Sequence, residues 1–144
     1  VKALVQLGAD VHAWDDFERT ALHRSAVNGH TKTLKALAQL GADVRAQDNG
    51  GDTALHWAAR EGRTETVKTL EELGADVRSQ NNDGRTALHA AADKGHTETV
   101  KALVQRGADV RAQANKGRTA LHYAALYGHI ETAKALEELE AQRP

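Results

Sequence analysis

The sequence contains no cysteine and no methionine, one proline, and only five aromatic side chains in 144 residues. The lack of cysteine excludes disulfides, thiolate zinc sites and cysteine nucleophiles. Large rings supply much of the buried area of an ordinary protein core. We therefore expect a core that is built mainly from Leu, Val and Ala.

The sequence also lacks an excess of either charge. It has 19 Lys and Arg and 20 Asp and Glu, which gives a formal net charge of -1. A protein that binds nucleic acid mainly by neutralising phosphates is expected to carry a basic excess. No stretch of the sequence approaches the apolar length of a membrane span. We therefore expect a folded, soluble chain that has neither nucleic acid nor a membrane as its partner.

Self-similarity is the main feature that the sequence does have. Thr-Ala-Leu-His begins at Thr20, Thr53, Thr86 and Thr119, and Gly-Ala-Asp-Val begins at Gly8, Gly41, Gly74 and Gly107. Both motifs recur every 33 residues, and such a period is typical of stacked supersecondary modules. A cut after each Gly-Ala-Asp-Val divides a single domain into a partial unit at 1–11, module one at 12–44, module two at 45–77, module three at 78–110 and module four at 111–144.

Module three illustrates the local signals within one repeat. Residues 80–85 have the Asn, Asp and Gly content of a tight hairpin, and Thr86 is placed to act as an N-cap. The sequence predicts a first helix that ends near Gly95 and a second helix from Thr97 to about Arg106. Each module is therefore predicted to be a hairpin followed by two helices, neither of which can bury its apolar side alone.

The period, the Thr-Ala-Leu-His-x-Ala-Ala segment, the Gly-His after it and the closing Gly-Ala-Asp-Val resemble the ankyrin repeat. This resemblance covers the whole chain. It implies an all-α solenoid of helix-turn-helix modules with projecting hairpins, and a concave surface formed by hairpin tips and first helices. The chain departs from the family pattern at two sets of positions: Ala21, Ala54, Ala87 and Ala120 stand where Pro is usual, and His12, Arg45, Arg78 and Arg111 stand where Asn is common.

The eight histidines do not form a metal-binding pattern, because no two of them lie four residues apart beside an acidic residue. The resemblance implies that His23, His56, His89 and His122 form hydrogen bonds around the N-cap Thr, and we expect His30, His96 and His129 to brace the turn between helices. No metal or cofactor is therefore expected.

Residues for catalysis are not found either. Ser25 and Ser79 are the only serines, and neither lies in a nucleophile elbow. Adjacent acidic residues such as Glu71 and Glu72 diverge around a helix, so they cannot act together as general acid and base. We expect that the chain is not an enzyme.

The resemblance implies that a partner contacts the hairpin turns and the exposed side of the first helices. All five aromatic residues fall at such positions, and rings are common in interface hot spots. Arginines there can donate paired hydrogen bonds to carboxylates, although ordinary solubility is an alternative role. The predicted partner-binding residues are Trp14, Phe17, Arg19, Arg24, Asp52, Trp57, Arg85, Arg118, Tyr123 and Tyr127. For Trp57 and Tyr123, partial packing against neighbouring helices is an alternative.

The sequence thus predicts a non-enzymatic, monomeric module that binds a partner protein. The alternative is a repeat array made or selected for stability, with no natural partner, which the absence of Cys and Met and the regular frame would suit. Clustering of the aromatic residues argues against an inert array.

The two ends are expected to differ from the middle of the array. Half a repeat at 1–11 covers module one, so this segment is expected to fray. Glu140 and Arg143 replace the Gly and Val that close the other modules. The last helix is therefore expected to run past the usual stop.

Overall fold

The computed structural model describes residues 20–142, and within that range the chain contains eight α-helices, one short 3-10 helix and no strand. The all-α prediction is confirmed. The helices are α1 (Ala21–Asn28), α2 (Thr31–Gln39), α3 (Ala54–Arg60), α4 (Thr64–Glu72), α5 (Ala87–Asp93), α6 (Thr97–Gln105), α7 (Ala120–Leu126) and α8 (Ile130–Ala141), and the 3-10 helix spans Asn115–Gly117.

The helices stack in two rows. The first helices of successive modules, α1, α3, α5 and α7, contact one another in that order, and so do the second helices α2, α4, α6 and α8. Each first helix also contacts the second helix of its own module. This is the predicted solenoid, in which every module packs only against its neighbours.

Each first helix begins at the predicted threonine. Thr86 has extended backbone angles (φ -96°, ψ 174°), and its backbone N–H donates to His89 Nδ1 at 3.0 Å. The Thr86 Oγ1 in turn accepts from the backbone N–H of His89 at 3.5 Å. Histidine thus takes the place that Glu or Gln has in the usual capping box. At the other end of the module's first helix, Gly95 adopts φ +74°, a conformation that favours glycine.

The core between modules two and three consists of aliphatic side chains, as the scarcity of rings predicts. Leu55, Val67, Leu70 and Leu88 are all at most 1 % exposed. Alanines of the inner row, such as Ala58 and Ala91, are fully buried and let neighbouring helices approach closely. Burial of these aliphatic groups provides the main driving force for stacking.

A ladder of threonine hydroxyls joins the second helices. Thr31 Oγ1 lies 3.2 Å from Thr66 Oγ1, and Thr64 Oγ1 lies 2.8 Å from Thr99 Oγ1. The bond from Thr97 to Thr132, also 2.8 Å, continues the series. Burial of these hydroxyl groups is tolerated because each forms a hydrogen bond with a threonine of an adjacent module.

The arginines that depart from the family pattern also join modules. Arg45 Nε donates to the carbonyl of Gly74, and Arg78 Nε donates to that of Gly107, both at 2.8 Å. These carbonyls lie just beyond α4 and α6, where a cation is favourable for the helix dipole. Sequence reasoning did not predict this role.

Module four ends differently, as expected. Helix α8 has 12 residues, whereas α2, α4 and α6 have nine each. Glu140 replaces the closing glycine, and its carboxylate accepts from Arg111 Nε at 2.9 Å, so a side chain takes over the role of the glycine carbonyl. The expectations for 1–11 and for Arg143 lie outside the described residues.

Candidate partner-binding surface

The concave face is the surface formed by the hairpins and by the first helices α1, α3, α5 and α7. Backbone hydrogen bonds link its hairpin tips from one module to the next: Asn82 N–H donates to the Gly50 carbonyl, and Asn115 N–H donates to that of Asp83, both at 2.9 Å. The Asn82 amide also donates to the Asn49 carbonyl at 2.9 Å. The tips are therefore held in a fixed row before any partner binds.

A side-chain brace shapes the hairpins of modules two and three. Asp48 Oδ1 accepts from the backbone N–H groups of Gly50 at 3.0 Å and Asp52 at 2.9 Å. Asn81, 33 residues later, accepts in the same way from Asp83 and Arg85. Such turns are typical of Asp and Asn. Sequence reasoning missed this role of Asp48, although its alignment with Asn81 at the repeat spacing was a usable signal.

Asp52 belongs to this framework and is not a free rim charge. The residue is 9 % exposed, and its Oδ1 accepts from the Asn81 amide at 2.9 Å. The structure therefore does not expose Asp52 as the sequence predicted. The physical reason is that the hairpin of module three covers this carboxylate.

The hairpin of module four has lost the brace. Ala114 stands where Asp48 and Asn81 stand in the preceding modules, and it has no side chain that can accept. The turn forms a 3-10 helix in which Lys116 adopts φ +67°, which is costly for a residue with a Cβ. Lys116 is exposed at the tip.

Trp57 is half-buried and held in place by two contacts. Its indole Nε1–H donates to Asp48 Oδ2 at 2.8 Å, and the Arg60 guanidinium lies 4.6 Å from the ring centroid. The ring is thus fixed against the hairpin of its own module while part of it reaches the surface. Trp57 is therefore both partly packed and partly exposed, which combines the two interpretations that the sequence left open.

Tyr123 is packed, which is the alternative that the sequence left open, and it is not exposed to a partner in this structure. Only 3 % of the residue is exposed. Its ring meets the His89 ring edge-on, at 5.7 Å between centroids, and the Arg85 guanidinium covers it at 4.5 Å from the centroid. The ring therefore contributes to stacking between modules three and four.

Arg85 connects this ring to a carboxylate. Its Nη1 lies 3.2 Å from Asp93 Oδ2, and its side chain is 28 % exposed. Its Nε is buried and finds no acceptor within residues 20–142. The pair is partly desolvated and fixed in geometry, unlike most surface ion pairs.

A shallow cleft of about 480 Å³ opens beside this pair. It is lined by Arg85, Asp93, Lys94, Tyr127 and His129. The His129 ring is held at one side of the cleft, because its Nε2–H donates to the Asp93 carbonyl at 2.8 Å. Tyr127 is 53 % exposed, as predicted. The structure thus brings Arg85, Tyr123 and Tyr127 together.

The remaining predicted site residues are more scattered. Arg24 lies on α1 and Arg118 in the hairpin of module four, and both are exposed. Trp14, Phe17 and Arg19 lie outside the described residues. The exposed Leu126, next to Tyr127, extends the apolar surface beside the cleft.

The capping histidines have structural roles. His56 Nε2–H donates to the Arg85 carbonyl at 3.0 Å, so its Nδ1 accepts from the Thr53 backbone N–H. Burial lowers the pKa of His56 and of His89 below the ordinary value of 6.5. These rings are therefore held in their neutral form.

No group of three or more His, Asp or Glu within residues 20–142 is arranged to hold a metal ion. Over the same residues, none of the helices has the length and apolar character needed to cross a membrane.

A family model of ankyrin repeats, in three copies, matches residues 1–81 and 71–142. Together the two matches span nearly the whole chain. No curated protein matches the sequence.

Proposed function

Because the chain belongs to the ankyrin repeat family, whose repeats are generally protein–protein interaction modules, we propose that it binds one protein partner through its concave face. The binding unit is a monomer. Members of this family are typically non-enzymatic, and the proposed role is binding without chemistry.

The observation that carries this proposal is where the modules differ. Modules two and three are identical at 21 of 33 positions, and the shared residues form the core and the caps. Seven of the twelve differences lie in the hairpin, on the first helix or in the turn after it: 48/81, 50/83, 52/85, 57/90, 60/93, 61/94 and 63/96. The other five lie just before the hairpin, at 46/79, and in or just after the second helix, at 69/102, 71/104, 72/105 and 73/106. The larger share of the variation thus falls on the hairpins, the first helices and the turns after them, as recognition of a particular partner requires.

The surface is also suited to binding in energetic terms. Hydrogen bonds hold the hairpin tips in a row, and Trp57 is fixed by Asp48 and Arg60. A preorganised surface loses little conformational entropy when a partner binds. Affinity is then expected to depend on a few rings, Tyr127 among them, with charges that set orientation and association rate.

Affinity capture with matched variants tests the proposal. The wild-type chain is compared with a Trp14→Ala/Phe17→Ala/Tyr127→Ala variant and with a Lys35→Ala/Lys101→Ala control, whose exposed lysines lie on α2 and α6. We expect a partner that the wild type and the control retain and that the ring variant loses. Circular dichroism checks that all three chains fold.

Two outcomes would contradict the proposal. A partner that binds all three chains equally does not use the concave face. Absence of any specific partner would instead favour the alternative function, a stable repeat array without a partner, which the regularity of the frame suits.

A further inference from the structure

Two positions of the concave face carry opposite charges in modules two and three. The first is the hairpin residue before the N-cap threonine, and the second lies near the end of the first helix. Module three has Arg85 and Asp93 there, and their side chains form an ion pair at 3.2 Å. Module two has opposite charges at the same positions, in the reverse order: Asp52 and Arg60.

Modules one and four instead have an arginine at the first position and an apolar residue at the second: Arg19 with Val27, and Arg118 with Leu126. Arg118 is exposed and forms no ion pair within residues 20–142. Module four therefore retains the arginine but lacks the carboxylate that Arg85 has. A carboxylate supplied by another molecule would complete the pair.

The surroundings of Arg118 favour an anionic group. The tip of the same hairpin carries Lys116, and the turn after α5 carries Lys94, both exposed and both without an ion pair in the described part of the chain. No acidic residue occurs in module four before Glu131. Asp93, in the cleft, is already paired with Arg85, and the exposed Asp83 lies at the adjoining hairpin tip. Lys94, Lys116 and Arg118 outnumber it and attract an acidic segment.

The residue that replaces the carboxylate is itself part of the surface. Leu126 is 62 % exposed and Tyr127 is 53 % exposed. The two are adjacent, and Tyr127 lines the cleft of about 480 Å³. Leu126 stands at the repeat position whose carboxylate pairs with the arginine in module three. An exposed aliphatic and aromatic pair at this position suits a ligand with an apolar group next to its acid.

We propose that the partner presents an extended segment in which an Asp or Glu lies close to a large apolar side chain. The carboxylate pairs with the Arg118 guanidinium as Asp93 pairs with Arg85, and the apolar side chain lies on Leu126 and Tyr127. This inference rests on the proposed function and specifies the partner's chemistry at one end of the concave face.

A displayed library of random linear peptides, about twelve residues long, selected on the immobilised chain at physiological salt, tests the inference. We expect enriched peptides to contain Asp or Glu within a few positions of Leu, Ile, Phe or Trp. The most enriched peptide is then synthesised, and its affinity is measured by fluorescence anisotropy against wild type, Arg118→Glu, Leu126→Asp and Lys101→Glu. The last is a charge-matched control on α6.

Arg118→Glu and Leu126→Asp are each expected to weaken binding by about tenfold or more, since a charge-assisted contact and an apolar contact are lost. Lys101→Glu should leave the affinity unchanged. A peptide whose acid is replaced by Lys should bind Arg118→Glu better than it binds wild type, because the charges are then exchanged.

Enriched peptides without an acid, or peptides that bind Arg118→Glu as tightly as wild type, would overturn this inference. So would a selection that enriches no peptide, because an extended segment that carries both the acid and the apolar side chain is expected to bind this end of the face by itself. In each case the capture experiment with the ring variant still decides the proposed function separately.

Discussion

Modules three and four contain the same Thr-Ala-Leu-His motif, yet its histidine has a different environment in each. Both histidines accept from the backbone N–H of their threonine, at 3.0 Å for His89 and 2.9 Å for His122. His89 is 1 % exposed, and its Nε2 contacts the carbonyls of Ala112 and Arg118. His122 is exposed, and its Nε2 has no partner within residues 20–142. The local cap is thus encoded within the motif, whereas burial is provided by the following module.

The same contrast recurs at other positions of the two modules. A Cβ on Gly95 would lie 2.6 Å from the ring of His129, whereas one on Gly128 would meet nothing within 4 Å. Thr97 bonds to Thr132, whereas its counterpart Ile130 is 67 % exposed. Because stability in a repeat array comes largely from neighbouring interfaces, the same substitution is expected to destabilise module three more than module four.

Leucine truncation should give the largest difference between the two modules. Leu88 is 1 % exposed in the core, whereas its counterpart Leu121 is only partly buried. Leu88→Ala is expected to lower the free energy of unfolding by about 2 to 5 kcal/mol, through lost transfer energy and a residual cavity. Leu121→Ala should cost less. Urea denaturation followed by circular dichroism measures both, and equal losses would contradict the comparison.

Removal of the capping histidines should give a smaller but parallel difference. His89→Ala is expected to cost about 1 to 3 kcal/mol, because it leaves the Ala112 and Arg118 carbonyls and the Thr86 N–H without their partner. His122→Ala removes only the local bond to Thr119 and should cost less.

Thermal unfolding of both histidine variants provides the measurement, and EDTA serves as a control. The histidine bonds described above need no metal, so EDTA should leave the melting temperature of the wild type unchanged. A melting temperature that drops with EDTA would show that the histidines bind a metal and would overturn their structural role.

Acidification should lower the free energy of unfolding through the buried histidines His56 and His89. Burial lowers the pKa of His56 and His89, and for His56 it outweighs the opposite effect of Asp52 and Asp48. Below pH 6.5 the unfolded chain therefore binds protons that the folded chain excludes. Their contribution to stability is complete above that pH and is lost as the pH falls towards the folded-state pKa values.

Urea unfolding at a series of pH values from neutral to mildly acidic measures this loss. Replacing both residues, as in His56→Gln/His89→Gln, should flatten the profile, whereas Leu121→Ala should lower it without changing its shape. A wild-type profile that stays flat as the pH falls below 6.5 would contradict the assignment.

Local features of the fold could be predicted from sequence because their causes lie within a few residues. Thr86 fixed the start of α5, since a hydroxyl before a helix caps its free N–H groups. The second helix was predicted from Thr97 to about Arg106 and runs from Thr97 to Gln105, with Arg106 as its cap. The extension of α8 followed from the loss of a closing glycine.

The exposure of site residues could be predicted less well, because it depends on side chains in other modules. Tyr123 is buried since Arg85 covers its ring, and Asp52 is buried since Asn81 reaches it from the next hairpin. Neither contact is visible from the spacing of a single motif. Tyr127 and Arg118 lie where the array has no further described neighbour, and there exposure was predicted correctly.

The smallest predicted effect concerns the hairpins, where modules three and four differ by one brace. Asn81 accepts from Asp83 and Arg85, whereas Ala114 cannot, and Lys116 takes the left-handed conformation. Ala114→Asn is expected to restore the brace and to raise the free energy of unfolding by about 0.5 to 1.5 kcal/mol.

Lys116→Gly tests the cause of that gain, since glycine adopts a positive φ without strain. If the missing brace forces Lys116 into this conformation, the two substitutions relieve the same strain, and the double variant should gain less than the sum of the single ones. Urea denaturation of the four chains gives this coupling. Additive gains, or no gain from Ala114→Asn, would show that the turn conformation is set by something other than the lost acceptor.

Asn81→Ala makes the opposite change in module three. It removes the acceptor and should lower the free energy of unfolding.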